Sequence, residues 1–145
     1  MKCGEIYFHR NFKFKDGQGG IKLFVVLYVS ENKSKPYCLV CITTTQEKNK
    51  SQHEGCQEAE ALFFIRKNKD FFCEDTWLQF KSIYEYEVQS VLHECVVTKE
   101  MEYKDRLKEN TFREIVNCIK KSRDVEQQYQ DLILSGIKGK MYTSL

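Results

Sequence analysis

Gln18-Gly19-Gly20-Ile21-Lys22-Leu23-Phe24-Val25-Val26-Leu27-Tyr28-Val29-Ser30, a polar stretch from Glu31 to Pro36, and Tyr37-Cys38-Leu39-Val40-Cys41-Ile42-Thr43-Thr44 decide how this chain folds. The two apolar runs read as strands, and the short polar turn between them makes a hairpin. The second run is apolar at successive positions, so it is expected to be buried on both faces for much of its length. Gly17, Gly19 and Gly20 stand just ahead of the first run. Such a cluster marks backbone that needs positive φ or close approach by another group.

Toward the N-terminus, Gly4 to His9 alternates as a strand, with Ile6 and Phe8 on one face and Glu5, Tyr7 and His9 on the other. Arg10 to Gly20 then reads as a loop. Toward the C-terminus, Thr45 to Gln57 is a polar loop and Ala61 to Arg66 a strand. Asn68-Lys69-Asp70 is a turn, and Thr76 to Lys81 and Ile83 to Glu87 are two short extended segments. Val88 to Glu94 fits one or two helical turns, while Cys95 to Tyr103 mixes both periods. Thr111-Phe112-Arg113-Glu114 matches a capping box, with Asn110 or Thr111 as the cap. Phe112, Ile115, Val116 and Ile119 give the helix that follows an apolar face. Asp124 is the expected cap of a second helix, running to Leu134 and stopped by Gly136. Strands first and helices afterwards predict an α+β domain. It covers residues 1–135, with a C-terminal tail over 136–145.

The chain has 145 residues and a net charge of +2, which suit one domain without a general electrostatic grip on nucleic acid. The charge is uneven: Arg10, Lys13, Lys15 and Lys22 face only Asp16 in their segment, and Lys48 and Lys50 sit in the later loop. A local basic site is compatible with that pattern. No segment reads as a signal peptide or a membrane span. The cysteines number seven, and several lie inside apolar runs, including Cys38, Cys41 and Cys118. They are expected to be small buried hydrophobes without a disulfide framework, in a cytoplasmic protein.

Three segments carry a family resemblance. Cys3-Gly4-Glu5-Ile6-Tyr7 is similar to the opening strand of the MazF/PemK family. Gln18-Gly19-Gly20-Ile21-Lys22, followed by Phe24 to Leu27, resembles its Gln-Gly-Gly-x-Arg-Pro segment. Val40-Cys41-Ile42-Thr43-Thr44 resembles the strand that ends in a functional threonine. Asp75-Thr76-Trp77 and the helix from Thr111 are weaker echoes. The resemblance spans roughly residues 3 to 122 and departs from the family where Lys22 replaces its arginine and Leu23 its proline. It implies an SH3-like barrel with C-terminal helices, often a homodimer. The implied protein is a toxin endoribonuclease that cuts single-stranded RNA without metal or cofactor and is restrained by a cognate antitoxin. The alternative is a non-catalytic barrel of the same kind that binds protein or nucleic acid.

Metal-free cleavage needs a base at the 2′-hydroxyl and a cation or amides at the phosphate. Lys22 is the expected cation and Thr43 the phosphate-positioning hydroxyl, with Thr44 able to replace it. Glu5, His9 and Asp16 are candidate bases. Gln18, Gly19, Gly20, Lys48 and His53 are candidate RNA contacts, and Tyr7, Phe12 and Phe14 are candidate stacking rings. Each has a plainer reading: a lysine at a strand start, threonines that suit a strand end, an exposed strand histidine, core aromatics. Cys38-x-x-Cys41 and His53-x-x-Cys56 have the spacing of zinc ligands. An odd offset within one strand would put Cys38 and Cys41 on opposite faces, which argues against a shared ion.

Overall fold

The computed structural model describes residues 1–13, 19–32, 34–47 and 49–138. The apolar hairpin lies at its centre. β1 (Glu5–Lys13), β2 (Gly19–Val29) and β3 (Tyr37–Thr44) are followed by β4 (Gly55–Gln57), β5 (Leu62–Ile65), β6 (Thr76–Glu87) and β7 (Met101–Arg106). These strands form one antiparallel sheet in the order β4-β5-β6-β3-β2-β1-β7. Helix α1 (Val88–His93) continues into a π-helical stretch over Glu94–Thr98. Helices α2 (Glu109–Lys121) and α3 (Gln127–Lys138) close the chain. The α+β class holds. Among the described residues no helix is long and apolar enough to cross a membrane.

Every residue of β3 except half-buried Tyr37 is buried, and its two faces feed two cores. Leu39 and Cys41 join Ile6, Val25, Leu27, Leu78 and the apolar stripe of α2 on one face. Cys38, Val40 and Ile42 join Tyr7, Phe24, Val26 and the α1 residues Val88 and Val91 on the other. The sulfurs of Cys38 and Cys41 therefore serve different cores, as their odd offset predicts. Wrapping a sheet between helical layers supplies most of the stabilisation, because burying apolar area is the dominant favourable contribution to folding.

Several boundaries differ from the expectations. β1 continues through the expected loop to Lys13, passing an irregularity between His9 and Phe12. The two segments after Thr76 are one strand, β6, whose pairing with β3 shifts register between Cys41 and Thr43. The polar loop ends in a short strand, β4, paired with β5. Helix α2 starts at Glu109, ahead of the Thr111 box, and no side chain caps it. Its start is held instead by tertiary contacts: the Lys108 backbone N–H donates to Asp70 at 3.1 Å, and Lys108 Nζ donates to the Lys69 carbonyl at 3.0 Å. Helix α3 begins after Asp124 and runs through Gly136 to Lys138, so neither residue bounds it as expected and the tail begins inside the helix.

The disulfide-free reading of the cysteines is corrected. Cys56 on β4 and Cys118 on α2 are bonded, across 62 positions of sequence. The bond ties a short outer strand to the helix that covers the sheet. Closing so long a loop restricts the unfolded chain, an effect typically worth about 2–4 kcal/mol. The other cysteines, Cys3, Cys38, Cys41, Cys73 and Cys95, are free thiols. Burial pushes Cys3 and Cys38 up to about 12. Alkylation of the denatured, unreduced protein should label five cysteines, and all seven after reduction. Reduction should also lower unfolding stability by about 2–4 kcal/mol, read by denaturant titration. Labelling of all seven without reductant would refute the pairing.

Candidate functional site

Strand β2 carries Lys22 out of the apolar hairpin, on the same face as Phe24 two residues on. His9 of β1 lies directly opposite Lys22 in the β1–β2 ladder. Directly opposed residues on neighbouring antiparallel strands project to one face, with Cβ atoms about 4.5–5.5 Å apart. The sheet thus brings together an ammonium and an imidazole that are thirteen positions apart in sequence.

Lys22 is half-buried, and its Nζ reaches the backbone carbonyl of Thr43 at 3.4 Å. Burial, and then the nearby Lys50 ammonium, hold its pKa below that of a free lysine. The loop carrying Lys50 is pinned from below. The Ser51 carbonyl accepts from the buried Trp77 indole at 3.0 Å and from Gln57 Nε2 at 2.9 Å. The His53 carbonyl also accepts from Gln57 Nε2, at 2.8 Å. Trp77 is itself stacked on Phe64, with centroids 4.5 Å apart. A buried indole thereby fixes a loop cation beside the strand cation.

The two threonines divide the expected role. The Thr43 hydroxyl donates to the Leu23 carbonyl at 2.9 Å, so its proton is committed to the hairpin. The Thr44 hydroxyl accepts from the Gln46 N–H at 3.2 Å and donates to no group among the described residues. Lys22 meets Thr43 through the backbone and not through the side chain.

His9 is 8% exposed, and its Nδ1 has no hydrogen-bond partner among the described residues. Burial lowers its pKa, and the Glu94 and Glu100 carboxylates act in the opposite direction. The net shift is downward, which favours a neutral imidazole at neutral pH. The ring is edge-on to Phe12 and Phe24. Phe12 and Tyr7 belong to the core, as the plainer reading of these aromatics has it.

Glu5 stands four positions from His9 on β1, about 13 Å along a strand. Its carboxylate already accepts from the Tyr7 hydroxyl and the Lys2 N–H, both at 2.9 Å. That distance sets it apart from the His9–Lys22 rung. Gly19 and Gly20 are β2 residues opposite Lys13 and Phe12, at the mouth of the β1–β2 hairpin. His53 is exposed. Asp16, Gln18, Lys48 and Phe14 lie outside the described residues. Among the described residues no group of three or more histidine, cysteine or acidic side chains is placed to hold a metal ion.

Sequence reasoning passed over the rings behind His9. Tyr84 and Tyr86, two apart on β6, stand half-buried with planes within 18° of each other. Tyr84 meets Phe12 edge-on at 5.3 Å, and Tyr86 meets Phe24 at 5.8 Å. The alternation Tyr84-Glu85-Tyr86-Glu87 was the available signal. No protein-family model matches the chain, and no curated protein matches it in sequence.

The depressed histidine has a consequence for stability. The unfolded chain takes up the His9 proton more readily than the folded one. The contribution of a neutral, buried His9 is therefore complete above the unfolded value of about 6.5 and is lost as pH falls through the folded value. Between about pH 7.5 and about pH 5 the wild type should lose more stability than a His9→Gln variant, as read by denaturant midpoints. Parallel losses would show that His9 is not the buried neutral group described.

Proposed function

We propose that this chain is a metal-independent endoribonuclease that cuts single-stranded RNA, holding the scissile phosphate at Lys22 with the 2′-hydroxyl turned toward His9. The observation that carries the reading is the half-buried lysine directly opposite a buried histidine of lowered pKa, on the face where the apolar hairpin ends. The similarity of the Gln18–Lys22 and Val40–Thr44 segments to the MazF/PemK family supports the same reading.

In this scheme neutral His9 takes the proton of the 2′-hydroxyl as its oxygen attacks phosphorus. The bond from phosphorus to the 5′-oxygen breaks, that oxygen takes a proton from solvent water, and the His9 imidazolium returns its proton to solvent. The products are a 2′,3′-cyclic phosphate and a 5′-hydroxyl. The Lys22 ammonium faces the charge that grows on the non-bridging oxygens, with Lys50 adding to the local field. Preorganised charge of this kind acts most strongly where water is partly excluded. The Thr44 hydroxyl, with its proton uncommitted, takes the phosphate-positioning role expected of Thr43. Thr43 instead orients the lysine through its carbonyl.

The finer expectations belong to the same proposal. The irregularities in β1, β2 and β3 bend the sheet, which we read as an opened relative of an SH3-like barrel. Such an enzyme would work in the cytoplasm, as a homodimer, and be held in check by an antitoxin that covers Lys22 and His9.

Purified protein incubated with mixed-sequence RNA in EDTA should produce fragments ending in 2′,3′-cyclic phosphate. Lys22→Ala should lower the rate by about 100- to 1000-fold, the usual cost of removing one transition-state charge partner. It should leave the thermal transition near that of the wild type. Lys22→Arg should retain or raise the rate, since a guanidinium offers phosphate a two-pronged contact. No cleavage by the wild type, with RNA still bound, would favour the non-catalytic alternative.

A further inference from the structure

Behind His9 the surface opens into two adjoining cavities that the cleavage chemistry does not use. The larger, about 520 Å³, runs between the end of β6 and α1, and the smaller, about 380 Å³, lies over the β1–β6 aromatics. His9, Tyr86 and Glu94 wall both. Each volume falls in the range of small-molecule sites, about 300–1000 Å³.

Three features of the walls point to one kind of ligand. Tyr84 and Tyr86 are half-buried rings on one face of a strand, with nearly parallel planes. Sheet-borne aromatics of this sort are the platforms on which single-stranded bases stack. The side-chain carboxylate of Glu94, in the first turn of the π-helical stretch, takes no hydrogen bond or ion pair among the described residues, although the residue lines both cavities. A free carboxylate beside an aromatic platform is an acceptor waiting for N–H groups. Finally, His9 is more than nine-tenths buried and its Nδ1 has no partner among the described residues.

We infer that this double cavity is a nucleobase subsite selective for guanine, an assignment that rests on the RNA reading above for its ligand class. Guanine alone among the common bases presents two adjacent N–H donors, N1–H and the N2 amine, on its pairing edge. One carboxylate can accept both. The base stacks on Tyr84 and Tyr86, its donor edge meets Glu94, and its phosphate lies past His9 at Lys22, on the strand neighbouring that of His9. An acidic, aromatic pocket would also suit a lysine or arginine of a protein partner. Lys22 lies opposite His9, and Lys13 lines the smaller cavity. Glu87, Glu94 and Glu100 make the cavities themselves acidic, so the neutral base enters them while the phosphodiester is drawn to Lys13 and Lys22.

The test uses full-length protein and uncleavable 2′-O-methyl oligonucleotides: a short oligouridylate, and the same strand with one guanosine. Binding is read by fluorescence anisotropy. The guanosine strand should bind the wild type about tenfold more tightly, within the range that one good base contact provides. Glu94→Gln should erase that preference while leaving oligouridylate binding unchanged. Tyr86→Leu should weaken both strands by about fivefold or more, as loss of a stacking ring does. A wild type without the preference, or a preference that survives Glu94→Gln, overturns the assignment. So does displacement of the RNA by an oligolysine peptide in a Glu94-dependent manner. Unmodified strands in EDTA separate this inference from the catalytic reading. Guanine-selective binding without cleavage sinks the nuclease and leaves the subsite, whereas cleavage with base-blind binding sinks the subsite alone.

Discussion

Strand β3 is buried from Cys38 to Thr44, and the rest of the molecule takes its position from that burial. Alternate residues of the strand are committed to two different cores, so any slip along β2 or β6 would have to refill both at once. Packing at interior density leaves little room for such refilling. The constraint ends at Thr43 and Thr44, where the strand leaves the apolar zone and its hydroxyls bond to the Leu23 carbonyl and the Gln46 N–H. Polar chemistry begins where two-sided burial stops, and Lys22 reaches its carbonyl partner at that border.

The same border explains how a half-buried lysine and a buried histidine come to face each other. They share the last rung of the β1–β2 ladder before its irregularity, on the face lined by Phe12 and Phe24. Apolar neighbours withdraw water from them, which depresses the basicity of each. Backbone and loop groups supply the remaining polar environment. Among these, the Trp77 indole is notable for acting at one remove: by holding Ser51 it sets where Lys50 lies.

Much of this was legible in the amino-acid order. The β2–β3 hairpin follows from two long apolar runs separated by polar residues, and the opposite faces of Cys38 and Cys41 follow from their spacing. The single strand β6 was not legible, because the register shift against β3 throws its alternation out of phase around Lys81 and Ser82. Strand β4 is too short to declare a period. The start of α2 was misplaced because contacts from Asp70 and Lys69, distant in sequence, override the local capping signal. The Cys56–Cys118 bond was hidden because connectivity does not follow from spacing. At the site, Lys22 and the neighbourhood of Thr43 and Thr44 were visible as a strand start and a strand end. Their meeting with His9, and the free carboxylate of Glu94, depend on ladder register and on a helix that no short motif announces.

The ladder ends on β4 and β7, and the two ends are guarded differently. The β4 end offers only three residues and is tethered to α2. The β7 end is longer but bristles with exposed Glu102, Lys104 and Asp105, charges of both signs that discourage a foreign strand from adding to the row. Backbone zippering into filaments is therefore disfavoured at both margins. A second molecule of this chain, or any other protein that docks here, must recognise side chains, and so its fit is open to tuning by single substitutions.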